Sequence, residues 1–203
     1  MNTKTIIKVK INQTLLLMFA ITGCMRVEPP KDIKVNPNPA EKYIVKMQLE
    51  KDIGNIHDVV TKKRYSVINV ETCSPKDQGR SIGGSWNTID KDISERLRPS
   101  NKNLFQTLYI PDYFFDESYY LLEKCNWVGS DVIFEFMKNN VRYAAIYLND
   151  DIISGKRLTL QCESVKQNRQ NGGSEYCKQF TNNDYGLVNS YFEVTLESKK
   201  ISK

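Results

Sequence analysis

The chain has 203 residues, 40% hydrophobic and 26% charged, which suits one globular domain with a tail and excludes a fully disordered chain. Its formal charge of +5 looks basic, but the balance changes once any targeting segment is removed. Five cysteines and one histidine exclude a multi-histidine metal site and argue against a Cys/His zinc cluster.

Residues 1–23 read as an address. Lys4, Lys8 and Lys10 stand without an acid among them, and Leu15-Leu16-Leu17-Met18-Phe19-Ala20-Ile21 follows. A basic region before a short apolar run is the pattern of a secretory signal peptide. The run is too short for a transmembrane helix, which needs ~20 apolar residues. Ile21-Thr22-Gly23-Cys24 resembles a bacterial lipobox, in which the cysteine is acylated, with palmitate among the chains, and becomes the first mature residue. Several acyl chains, at ~0.8 kcal/mol per buried methylene, hold a protein firmly on a membrane. Without residues 1–23 the chain keeps 26 basic and 24 acidic side chains, a charge of +2. No nucleic-acid footprint remains. Lys62-Lys63-Arg64 and Lys199-Lys200 are expected to be solvated edges.

Residues 24–41 contain Pro29, Pro30, Pro37 and Pro39 among polar residues and no apolar period. They are expected to form an extended tether, at about 3.1 Å per residue where proline-rich. The domain, 42–203, opens with Tyr43, Val45, Met47 and Leu49 alternating with Ile44, Lys46, Gln48 and Glu50, the period of a half-buried strand. Tyr65, Val67 and Asn69 give a second strand leading to Cys73. Trp86 follows Gly83-Gly84-Ser85 and reads as a loop residue. That placement, and the lack of a Tyr-x-Cys corner, separate the chain from antibody-type domains. Asp90 to Leu97 is expected as two helical turns stopped by Pro99.

Leu104 to Ile110 gives a further strand, ended by Pro111, and Asp112 to Leu122 a short helix or an irregular aromatic loop. Val132, Phe134 and Phe136, the turn Lys138-Asn139-Asn140, then Val141, Tyr143, Ala145 and Tyr147 form the best hairpin signal. Asn149-Asp150-Asp151 lacks the twelve-residue calcium loop, so no metal is assigned there. Asp150 or Asp151 is expected to cap the turn Ile152-Ile153-Ser154. Leu158, Leu160 and Cys162, then Phe192, Val194 and Leu196, mark the last strands. The sum is an all-β, antiparallel β-sandwich of about seven strands with one or two short helical turns.

With Cys24 set aside, Cys73, Cys125, Cys162 and Cys177 remain, an even number that in an exported chain implies two disulfides. Three pairings are possible. Cys162–Cys177 is favoured because it closes the polar loop Glu163 to Tyr176, which holds Gly172-Gly173. Cys73–Cys125 is its complement, and it is expected to matter more to stability by tying distant strands.

Little chemistry is available. His57 has no Gly-x-Ser-x-Gly elbow to serve, so no triad is assembled. Asp112-Tyr113-Phe114-Phe115-Asp116-Glu117-Ser118-Tyr119-Tyr120 puts five aromatics and three acids in nine residues. Carboxylates beside aromatics suit a carbohydrate site, a protein interface, or aromatic core packing with solvated acids. Asp112, Tyr113, Phe115, Asp116 and Glu117 are the candidate partner-binding residues.

Asp116-Glu117-x-Tyr119-Tyr120 followed by Cys125-x-Trp127 resembles a segment of small bacterial lipoproteins. Tyr65, Asn69, Cys73-x-Pro75 and Asp151-Ile152-Ile153 fit further parts of that pattern, over roughly residues 43–162. The chain departs from it at Leu121-Leu122-Glu123, where a glycine is usual. Such lipoproteins resemble immunity proteins of type VI secretion phospholipase effectors. The resemblance implies a periplasm-facing lipoprotein that binds and blocks a secreted lipase, without a cofactor and without turnover of its own. Met25 after Cys24 implies the inner leaflet of the outer membrane. A structural outer-membrane component of an envelope or secretion assembly is the alternative. A hydrolase or sugar-binding role would depend on Asp116 and Glu117.

Cys24→Ala is expected to move the protein from the membrane to the soluble fraction. Unchanged membrane association on fractionation would exclude the anchor.

Overall fold

The computed structural model describes residues 30–50, 56–75, 89–101, 103–163, 175–179 and 191–201. Cys24, the leader, Trp86 and Gly172-Gly173 lie outside the described residues. The fold is an all-β sandwich. One sheet runs in the order β4-β1-β9-β7, from β1 (Lys42–Leu49), β4 (Leu104–Tyr109), β7 (Leu158–Glu163) and β9 (Tyr191–Ile201). The other runs β3-β2-β5-β6-β8, from β2 (Ile56–Val67), β3 (Asp90–Arg96), β5 (Trp127–Lys138), β6 (Val141–Leu148) and the two-residue β8 (Glu175–Tyr176). All pairs are antiparallel except β6 with β8.

The alternating residues fill the space between the sheets. Tyr43, Val45, Met47 and Leu49 are buried from β1, and Phe192, Val194 and Leu196 from β9. Val132, Phe134, Phe136, Tyr143, Ala145 and Tyr147 face them from the second sheet. The β5–β6 turn falls on Asn139 and Asn140, at φ 50° and 62°. Two left-handed residues make the hairpin turn that matches strand twist, and asparagine tolerates that backbone. Where β1 begins, β2 and β4 end and β5 begins. This is the entry pole. The β5–β6 turn marks the opposite, hairpin pole.

Several elements differ from the sequence reading. Asp90 to Leu97 is not helical: Asp90–Arg96 forms β3. Ile93 and Leu97 stand four apart, a spacing common to both periods, and the edge of β2 decides the matter by pairing Val60 to Ser66 with Arg96 to Asp90. Lys62-Lys63-Arg64 is not a solvated edge. It lies on β2, between β3 and β5, and each cation has an acid: Lys62 with Glu135 at 2.7 Å, Lys63 with Glu95 at 2.9 Å, Arg64 with buried Asp131. Lys200, on β9, pairs with Glu41. The turn after β6 is α2 (Asn149–Ser154). Asp150 and Asp151 lie in its first turn rather than capping it, and the left-handed Gly155 closes it.

Both predicted disulfides are present. Cys73 ends the helical turn α1 (Val70–Cys73) after β2, and Cys125 precedes β5. Since β2 and β5 are paired neighbours, this bridge locks one sheet at the entry pole rather than joining distant strands. Cys162–Cys177 instead joins the two sheets. Residues 175–178 pair with β6 through Tyr143↔Glu175 and Ala144↔Tyr176, then bridge to β7 through Gln161↔Lys178. One side of the sandwich is thereby closed. Across the other side Glu95 of β3 accepts from Thr107 of β4 at 2.9 Å. Its hydrogen bond from Lys63, with smaller help from Thr107, holds the carboxyl below the usual carboxylate range.

Gly129 fixes how closely the sheets approach at the entry pole. A Cβ there would fall 1.9 Å from the Tyr109 hydroxyl oxygen and 2.7 Å from its Cζ. The phenol lies across the bare backbone and donates to Asn149 Oδ1 at 2.9 Å. Gly129→Ala must displace a buried ring and two elements with it. A loss of about 1–3 kcal/mol is expected, read as a lower urea midpoint at constant slope.

Candidate functional site

The acid- and aromatic-rich segment folds as an irregular loop over the entry pole, from Pro111 to Asn126. Pro111 O accepts from Gly129 N at 2.8 Å, so the loop leaves β4 directly beneath β5. Phe114 is buried, in edge contact with Tyr65 and Tyr113 and tilted against Trp127 at 5.2 Å. Tyr119 OH accepts from Trp127 Nε1 at 3.0 Å, and burial raises its pKa. Asn69 holds the loop's far end, accepting from Asn126 N and donating to Lys124 O, both at 2.8 Å, next to Cys73–Cys125.

The acids serve the fold. Asp112 Oδ2 accepts from Ala40 N at 2.7 Å and from Asn36 Nδ2 at 3.2 Å. Its Oδ1 is buried without a hydrogen-bond partner. Asp116 Oδ1 accepts from Trp127 N at 2.9 Å. Glu117 pairs with Lys34, whose ammonium it holds above its ordinary value, and its carbonyl accepts from Cys125 N. Of the five candidate residues, Tyr113 is half-buried against the core and only Phe115 presents an exposed large apolar side chain.

The partners of Asp112 and Glu117 come from the proline-rich segment. Asn36 N donates to Tyr113 O at 2.8 Å and Phe115 N to Lys34 O at 2.9 Å, making Val35 and Phe114 a β-bridge. Ile33 already packs against the core. The end of the expected tether is therefore laid along the loop, extended but docked. Its composition hid this, because the contacts use backbone groups and one asparagine and leave no apolar period.

The exposed large apolar side chains at this pole are Val35, Ile68, Phe115, Leu121 and Leu122, beside exposed Lys34, Asp116, Glu123 and Lys124. Leu121 is fully exposed, and its φ of 61° lies in the left-handed region that glycine or asparagine occupies more readily. The sequence reading left Leu121 and Leu122 out of the candidate set. The signal available was their place where the resembled pattern has glycine.

His57 sits at the start of β2, at the hairpin pole, opposite Met137. Among the described residues no three His, Cys, Asp or Glu side chains gather to hold a metal ion.

Asp112→Ala removes the acceptor that fastens Ala40 and Asn36. Faster hydrogen exchange at the Asn36 and Ala40 amides is expected, with a stability loss of about 1 kcal/mol. Unchanged exchange at both amides would mean that the segment is held without Asp112.

Family models, curated proteins and solved structures were compared with the chain, and none matches.

Proposed function

We propose that this is a lipid-anchored, periplasm-facing immunity protein that binds and blocks a secreted lipase effector. One observation carries most of the reading. The three acids of the densest acid–aromatic segment are engaged in holding the loop and the incoming chain, so the segment works as scaffold and not as an acid–base constellation. The two disulfides fit an exported domain. They also make a stiff body: one fastens a sheet at the entry pole, the other clasps the sheets along a side. A stiff body loses little freedom on binding.

The mechanism is steric. Anchored through Cys24, the sandwich sits at the surface where a lipase must work and covers the enzyme's mouth or lid. Tight inhibition requires about 1,600 Å² of buried interface with a few well-packed anchors.

Co-expression with a cognate type VI phospholipase effector, directed to the periplasm, should prevent lysis, and the purified full chain should inhibit that lipase at one-to-one stoichiometry. His57→Ala should protect as well as the parent. Failure to protect, or lipid hydrolysis by the isolated chain that His57→Ala or Glu117→Gln abolishes, would overturn the reading.

A further inference from the structure

We propose that the entry pole is a membrane-docking surface, in which Phe115, Leu121 and Leu122 enter the headgroup–acyl boundary of the bilayer that holds Cys24. The inference rests on the acylation of Cys24 in the function proposed above, and it adds an orientation to it.

Chain length supplies the first argument. Ile33 is packed against the core and Lys34 is paired with the loop. Nine peptide steps separate Cys24 from Ile33. Fully extended, they span about 30 Å. The strand β5, with 12 residues, measures about 40 Å along the sandwich. With Ile33 docked at the entry pole, the hairpin pole cannot turn to the membrane, because the link is shorter than the domain.

Surface chemistry supplies the second. The outer faces of the sheets carry ion pairs, Lys46–Glu197 on one and Lys62–Glu135 and Arg64–Asp131 on the other. The entry pole carries exposed Val35, Ile68, Phe115, Leu121 and Leu122. The pole has charge of its own, in the Lys34–Glu117 pair and exposed Glu123 and Lys124, but it carries Phe115, Leu121 and Leu122 together on one loop. An exposed apolar patch of this kind marks an interaction site.

The third argument is Leu121 itself. It is fully exposed on a left-handed backbone, so it gains nothing from packing and leaves its conformation strained. Lipid around the side chain supplies the burial that the fold does not. The Tyr119–Trp127 hydrogen bond and the Cys73–Cys125 bridge hold the loop beforehand, so little order has to be imposed on docking.

The test uses the full acylated chain in phosphatidylethanolamine–phosphatidylglycerol vesicles whose acyl chains carry bromine, a short-range quencher of tryptophan. Leu122→Trp reports on the entry pole and His57→Trp on the hairpin pole, each read against the parent. The expected result is loss of most of the added fluorescence for Leu122→Trp and none for His57→Trp. Leu121→Asn suits the left-handed backbone and keeps the loop, and in the Leu122→Trp background it should weaken the quenching. If Leu122→Trp is unquenched while the chain still floats with the vesicles, the docking surface is overturned and the patch is left for a protein partner. Equal quenching of both reporters would overturn the orientation. A chain that does not float would overturn the anchor itself. Flotation and protection from the lipase are read separately from quenching, so failure of docking is distinct from failure of the proposed function.

Discussion

The two sheets can meet at the entry pole because residue 129 has no side chain. Tyr109 from one sheet lies across that bare stretch of β5, and its hydroxyl reaches Asn149 at the start of α2. Pro111, two residues on, returns to Gly129 N and sets the departure of the loop. The loop brings Phe114 into the ring cluster with Tyr65 and Trp127, and Asp112 to the incoming chain. Strand pairing, helix placement, loop and tether thus converge on one close approach. Burial in this cluster pushes the Tyr65 and Tyr109 hydroxyls well above their ordinary range, so both stay neutral at any working pH.

The parts of the fold legible in the sequence are those where one face is apolar and the other wet. Tyr43 to Leu49, Phe192 to Leu196 and the hairpin around Asn139-Asn140 satisfy that condition, and local preference agrees with tertiary use. The misses share a cause. Asp90 to Leu97 has too few apolar residues to set a period, and β2's edge makes it a strand. Lys62-Lys63-Arg64 resembles a solvated run because its three acids, Glu135, Glu95 and Asp131, are distant in sequence. Residues 34–36 pair through backbone groups, which carry no residue signature.

The candidate site was legible as a location, while the bonds its acids make within the fold were not. The sequence shows acids beside aromatics, but it cannot show that Trp127 N claims Asp116 or that Ala40 N claims Asp112. Once those bonds form, each acid has an oxygen committed within the fold, and the neighbouring Leu121 and Leu122 stand exposed. A carboxylate that accepts from a backbone amide replaces a lost hydration bond at little net cost. An exposed leucine has no such replacement within the chain.

Cys162 and Cys177 belong to opposite sheets, since β7 pairs with β9 while the segment before Cys177 pairs with β6. They stand 15 residues apart in sequence, yet the chain passes from one sheet to the other between them. Cys73 and Cys125 need only the β2–β5 pair and its adjoining turn. The two bridges therefore constrain different things: one holds neighbouring strands of a single sheet, the other holds the sheets to each other. Both cysteines of the inter-sheet bridge lie in the core, so the clasp is out of reach of a thiol in solution while the sandwich stays closed.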